Sequence, residues 1–246
     1  MMGRLYGDAK MTAKEYINDL DIILFDMGKT FMFEGDRFDK EQDYEKTYRS
    51  FGGNNFTNKI LHEIIYYIYG TLLARSRDEK FQDDMMTVEE LVLSDEYFKG
   101  ITTEDKILLE RVFAYHECGN VPETCKVTLK ALAKTYKIGL ISNVWCKSEY
   151  FKEQLKKDGV FDLFDIIIFS SDHKSVKPSK KLFSIAIEHF GIIPDKIVYI
   201  GDNYKRDVVG SKNAGMKAIL VNNSESSRIT GDIKPDCIIN KIEELV

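Results

Sequence analysis

Three aspartates, a lysine and two hydroxyls in this chain are spaced so that they could act together. Asp26 closes the apolar run Ile22-Ile23-Leu24-Phe25 and is followed by Met27, Gly28, Lys29 and Thr30. Ser142-Asn143 closes Ile138-Gly139-Leu140-Ile141, and Lys177-Pro178 ends the polar loop after Ile166-Ile167-Ile168-Phe169. Gly201-Asp202-Asn203 closes Ile197-Val198-Tyr199-Ile200, with Asp207 a few residues on. These types together suit phosphoryl transfer. A carboxylate can attack phosphorus and form an acyl phosphate. A hard cation such as Mg²⁺ takes carboxylate, phosphate and water oxygens. An ammonium and hydroxyls steady the charge on the equatorial oxygens.

Those residues need a scaffold that gathers strand ends. The short β-branched runs at 21–26, 138–142, 165–169, 196–200 and 217–221 predict strands. Helical spacing near 123–136, 147–158, 179–190 and 205–214 separates them, with Gly191 and Gly215 placed as C-caps. Such alternation predicts an α/β fold, a Rossmann-like parallel sheet with helices on both faces. Ligands bind outside the carboxyl ends of such strands. Between about 34 and 118 the alternation stops. Helix-like stretches at 39–50, 56–75, 86–98 and 103–117 follow one another, punctuated by Gly52-Gly53, Asp83-Asp84 and Gly100. The expected organisation is an α/β core over 1–31 and 119–246, interrupted by a helical domain over 32–118.

Composition narrows the function classes. The 246 residues are 43% hydrophobic and 30% charged, with a net charge of −5, ordinary for a globular protein. A sequence pI near 5.5 and the lack of a basic run argue against nucleic acid as partner. No apolar run is long enough for a membrane span, and Met1 to Lys10 hold no apolar h-region of a secretory signal. A cytoplasmic location is expected. Cys118, Cys125, Cys146 and Cys237 form no C-x-x-C pair and read as scattered reduced thiols. The charge is uneven: residues 31–120 carry about 11 basic and 19 acidic groups, leaving the remainder positive. About half of the aromatics fall there too, Tyr66, Tyr67 and Tyr69 among them. They read as a small helical core, some of them facing a pocket.

In order and spacing, the strand-end residues resemble the haloacid dehalogenase (HAD) superfamily, dominated by phosphatases. Phe25-Asp26-Met27-Gly28-Lys29-Thr30 resembles its first motif, D-x-D-x-T, and Leu140-Ile141-Ser142-Asn143 the second. Val176-Lys177-Pro178, with Phe183 following, resembles the third. Ile200-Gly201-Asp202-Asn203-Tyr204-Lys205-Arg206-Asp207 resembles the fourth, G-D-x-x-x-x-D. The resemblance covers 21–31 and 119–221. It implies that Asp26 is the nucleophile and a metal ligand, that Gly28 offers its carbonyl to the metal, and that Asp202 and Asp207 ligate Mg²⁺. It also implies that Thr30 and Ser142 hold the phosphoryl group, Lys177 bridges nucleophile and phosphate, and the amides of Met27 and Asn143 add donors. Residues 32–118 would be a C1 cap, which is associated with a small phosphorylated metabolite as substrate. Lys29 can supply charge to the leaving group or lie in solvent.

One position departs from the pattern. Phosphatases of the superfamily usually carry a second Asp two residues after the nucleophile, where this chain has Gly28. General acid–base help is worth about 10²–10⁴-fold. Three readings follow: another group supplies the proton, the substrate has a good leaving group, or the chain binds a phosphorylated ligand without turning it over. A metal-free dehalogenase uses the same nucleophile on carbon, and the Asp202–Asp207 pair speaks against it.

Overall fold

Each apolar run read as a strand is one. In a computed structural model, which describes residues 11–246, β1 (Ile22–Phe25), β2 (Lys137–Ser142), β3 (Ile166–Phe169), β4 (Ile197–Gly201) and β5 (Lys217–Val221) run parallel. The N-terminal stretch read above as lacking an h-region lies outside the described residues. A further strand, β6 (Cys237–Ile239), pairs with β5 and gives the order β3-β2-β1-β4-β5-β6. The sequence reading missed β6, a short apolar triplet in a polar context at the sheet edge. The strand order reverses at β1 and β4, and a crevice opens beyond their carboxyl ends.

The strands are buried on both faces, as parallel strands are. Ile23, Phe25, Leu140 and Ile200 join one apolar cluster. Ile22, Leu24, Ile141 and Tyr199 join another, with Leu182, Phe183 and Ala186. Around the sheet lie α1 (Ala13–Ile17), α6 (Glu123–Leu132), α7 (Ser148–Lys157), α8 (Ser170–His173), α9 (Lys180–Phe190) and α10 (Gly210–Asn213). Gly191 ends α9 in the left-handed conformation (φ 65°), where glycine is unstrained. The single helix read over 205–214 is two pieces: a wide π-type turn, Tyr204–Val209, precedes α10. Widened turns of this kind gather at functional sites, and this one carries Asp207.

Between β1 and α6 come α2 (Tyr44–Ser50), α3 (Asn58–Arg77), α4 (Val88–Ser94) and α5 (Thr103–Glu117). The stretch read as one helix over 86–98 is α4 followed by a 3₁₀ turn, Glu96–Phe98. Helix α3 buries Leu61, Ile64, Ile65, Ile68 and Leu72, the stripe expected of an amphipathic helix. Thr87 and Glu90 form a capping box that starts α4. Tyr44, Tyr48, Phe98 and Phe113 are fully buried and belong to the same apolar cluster as Phe25 and Leu140. The helices therefore share a core with one face of the sheet. No helix among the described residues is long and apolar enough to cross a membrane.

Candidate active site

The register of β1 brings three strand ends together. Phe25 pairs with Leu140 on one side and Ile200 on the other, so Asp26, Ser142 and Asp202 emerge side by side. Asp26 extends the ladder by one bond, its N–H donating to the Ile200 carbonyl (2.8 Å). The chain then turns sharply. The Met27 carbonyl accepts from the amides of Thr30, Phe31 and Met32, and Lys29 adopts φ 56°.

Lys177 is the hub of the site. Its Nζ lies 2.7 Å from Asp26 Oδ1, 2.8 Å from Asp207 Oδ1 and 2.6 Å from the Tyr199 hydroxyl. Tyr199 in turn donates to the Ile141 carbonyl (2.7 Å). Asn143 fixes the lysine backbone from both sides: its Oδ1 accepts the Lys177 N–H (2.9 Å), and its Nδ2 donates to the Lys177 carbonyl (3.3 Å). Lys177, Asp26 and Asp207 are all buried, and buried charges persist when paired and hydrogen-bonded. Burial pulls the Lys177 ammonium down, but Asp207 and Asp26 outweigh it and hold the group above its ordinary value. Burial pushes the Asp207 carboxyl up, with Lys177 opposing and the charges of Asp26 and Asp202 adding.

The three aspartates form an oxygen cluster. Each of Asp26, Asp202 and Asp207 presents one carboxylate oxygen within 4.8 Å of the others. Their oxygens are not equivalent. Asp207 uses both, on Lys177 and on the Asn203 amide (2.8 Å). Asp26 uses Oδ1, which also accepts from Ser142 Oγ at 3.3 Å. Asp202 uses Oδ2, which accepts from Ser224 (2.9 Å) and Ser226 (2.7 Å). Asp26 Oδ2 and Asp202 Oδ1 accept no hydrogen bond from the described residues. Three carboxylates converging here, with Asp202 Oδ1 still open, fit a small divalent cation such as Mg²⁺. Burial raises the Asp202 carboxyl, Asp26 adds, and the two serines oppose. Gly201 permits this crowding, since a Cβ there would lie 2.3 Å from Asp207 Oδ2.

A cavity of about 150 Å³ opens on Asp26, Gly28, Ser142, Lys177, Asp202 and Asp207. It continues into a larger one of about 480 Å³ beneath the helices. Lys29, Asn143 and Arg206 line both. Of the residues singled out from sequence, Met27 and Thr30 do not line either cavity. Both are buried, and the Thr30 hydroxyl has no hydrogen-bond partner. Sequence reasoning missed Tyr199, whose place in an apolar strand already explained it. It also missed Ser224 and Ser226, although a serine-rich run after β5, at the same sheet edge, was a usable signal. The helices add Tyr69, Arg77 and Glu117 to the larger cavity, and Asp36, in the loop after β1, lines both. Glu117 Oε1 accepts the Trp145 amide (2.7 Å), and Oε2 the Cys146 amide (3.2 Å).

With this geometry in view, comparisons place the chain among known proteins. The sequence pattern of the haloacid dehalogenase-like hydrolases matches residues 17–221. The chain is 33% identical over 101 residues to a glyceraldehyde 3-phosphate phosphatase of Methanothermobacter thermautotrophicus, covering 41% of this chain and 44% of that protein. It is 31% identical over 151 residues to haloacid dehalogenase-like hydrolase domain-containing protein 3 of Danio rerio, covering 57% of this chain and 60% of that protein. The chain thus spans about half the length of these curated relatives. The crystal structure of a HAD phosphatase from Thermococcus onnurineus superposes with a TM-score of 0.61 at 26% identity, covering 92% of this chain and 96% of that one. The family match runs from α1 to the end of β5 and includes every strand end that carries an aspartate of the cluster: the chain belongs to the haloacid dehalogenase-like hydrolase family.

Proposed function

We propose that the chain is a cytoplasmic, Mg²⁺-dependent phosphohydrolase that acts on a small phosphorylated metabolite through an aspartyl-phosphate at Asp26, with residues 32–118 as its cap. One observation carries the reading. Lys177 and Ser142 hold Asp26 through Oδ1 alone, which leaves Oδ2 open at the floor of the cavity. Oδ2 attacks phosphorus, the bond to the leaving oxygen breaks, and an acyl phosphate forms. Water then attacks that phosphorus, phosphate departs, and the carboxylate returns. Ser142 and the Asn143 amide, at the cavity lining, are the donors to the phosphoryl oxygens. Asp26, Asp202 and the Gly28 carbonyl would hold Mg²⁺, with Asp207 behind them. The ion supplies charge neutralisation for the phosphoryl group. Lys177 keeps the nucleophile oriented and offsets the third carboxylate. Among the described residues, Cys118, Cys125 and Cys146 form no disulfide, in keeping with a reducing compartment.

The test is phosphate release from sugar, acyl and nucleoside phosphates, with Mg²⁺ and with EDTA. Turnover is expected with Mg²⁺ only, and Asp26→Asn is expected to remove at least about 10³-fold of it. An Asp26→Asn protein as active as wild type would refute the reading. Gly28 favours a second reading, a phosphate-binding protein without turnover. It would show Mg²⁺ and phosphate binding but no Asp26-dependent release. Chloride release from a 2-haloacid without Mg²⁺ would instead indicate a dehalogenase.

A further inference from the structure

The larger cavity holds more positive charge than a phosphoryl group needs. In the adjoining smaller cavity, Asp26, Asp202 and Asp207 would be balanced by Lys177 and one divalent cation. Lys29 and Arg206 line both cavities, as does Asp36, whose carboxyl feels both positive charges. Arg77 is different. It lines only the larger cavity, at the C-terminal end of α3. Its guanidinium makes no hydrogen bond or ion pair with the described residues. Arg75, in the same turn, is bound by Asp84 and stacks on the Phe81 ring (3.6 Å).

Two acids that line the same cavity, Glu79 and Glu117, are engaged elsewhere. Glu79 pairs with Lys205 (2.9 Å). Glu117 has both oxygens on backbone amides, and burial pushes its carboxyl up to about 8, so it is mainly uncharged at neutral pH. Arg77 is exposed at the cavity lining, and an unpaired guanidinium there suits a planar or tetrahedral anion, which it binds through paired N–H groups. The cavity, about 480 Å³, is of a size that holds a small ligand.

We infer that the substrate carries a second anionic group, carboxylate or phosphate, on the leaving-group side, and that Arg77 binds that group. The inference rests on the phosphohydrolase reading for the placing of the first phosphoryl group. It adds a selectivity that this reading does not require.

The test is equilibrium binding to the Asp26→Asn protein with Mg²⁺, where turnover does not interfere. Two matched pairs are compared: glyceraldehyde 3-phosphate with 3-phosphoglycerate, and fructose 6-phosphate with fructose 1,6-bisphosphate. The first pair adds a carboxylate and the second a phosphate. At least one anion-bearing member is expected to bind about tenfold or more tighter than its partner, an increment within reach of one charge-assisted contact. Adding Arg77→Gln should reduce that ratio to about one, whereas Arg77→Lys should keep part of it. Lys59→Gln, at the opposite end of α3, should keep all of it. Equal binding within both pairs, no binding of either pair, or a ratio untouched by Arg77→Gln overturns the inference. Phosphate release by the wild type, measured in parallel, judges the underlying reading separately.

Discussion

At Asp26 the two carboxylate oxygens have different work, one held by Lys177 and Ser142 and one open. The carboxyl that usually protonates the leaving group in this family is missing at position 28, which is Gly28. The structure leaves room for it. A Cβ at Gly28 would meet nothing within 4 Å, and the backbone there lies outside the left-handed region. The substitution Gly28→Asp should therefore be accepted without strain. If the leaving oxygen lacks a proton donor, the new carboxyl supplies one. For alkyl phosphates, which leave poorly, kcat is expected to rise about 10²-fold, at the lower end of general acid–base effects. Acyl phosphates, which leave well, should gain little. Phosphate-release kinetics on both classes checks this. Equal behaviour of the two classes would mean that the protein already has its donor.

Elements decide whether those side chains hold their positions. The segment between α3 and α4 braces the loop that carries Lys177. Val176 donates to the Gln82 carbonyl (2.8 Å), and Met85 to the Lys174 carbonyl (3.0 Å). Asp83 Oδ1 accepts from Ser175 (2.6 Å) and Ser179 (2.7 Å), one on each side of Lys177. These serine bonds hold the Asp83 carboxyl below its ordinary value. Asp83→Ala removes both and is expected to lower kcat about 10-fold with KM little changed, a size common for groups that orient a site residue. Asp83→Asn should recover part of the loss in the same steady-state assay. A second element-level device sits between α2 and α5. The His116 ring bonds Thr47 Oγ1 (3.1 Å) and packs edge-on against Tyr44. Burial, with the Arg37 charge adding, pulls its pKa down from 6.5 to about 4. The unfolded chain binds a proton below 6.5 and the folded one does not until about 4, so this site's contribution is lost as pH falls through that window. The loss should reach up to about 3 kcal/mol. Urea unfolding at pH 7 and 4.5 should show a smaller pH effect in His116→Gln than in wild type. The strands and the acids that end them were legible from sequence, because type and position coincide at each strand end. The Asp83 brace was not: Asp83-Asp84 reads as helix punctuation, and its serine partners lie some 90 residues away in the chain. The wide turn at Asp207 was hidden for a related reason, since its helical spacing conceals the carboxylate folded back over Gly201.

The uneven charge of the whole chain has a structural counterpart. In the ion pairs Lys147–Glu89 (2.6 Å), Lys205–Glu79 (2.9 Å) and Lys174–Glu90, the acid comes from the helices after β1 and the base from the sheet side. Exposed pairs contribute little each, so they set orientation more than stability. Stronger ties lie beneath. Helix α5 holds the segment that leads into α7: Glu117 accepts from the amides of Trp145 and Cys146, and Glu110 from that of Lys147. The shared apolar cluster runs across the same boundary. Helices joined in this way should not unfold ahead of the sheet. Trp145, the single tryptophan, reports on the boundary, because its ring meets Tyr69 (5.7 Å) and Phe113 (6.2 Å) of the helices. Urea unfolding followed by its fluorescence and by far-ultraviolet circular dichroism is expected to give one midpoint, as a two-state transition requires. A fluorescence midpoint at lower urea would mean that the helices detach first, with the apolar cluster parting at the sheet face. Because the pairs at the rim are screened by salt while the cluster is not, the single midpoint should survive at high ionic strength.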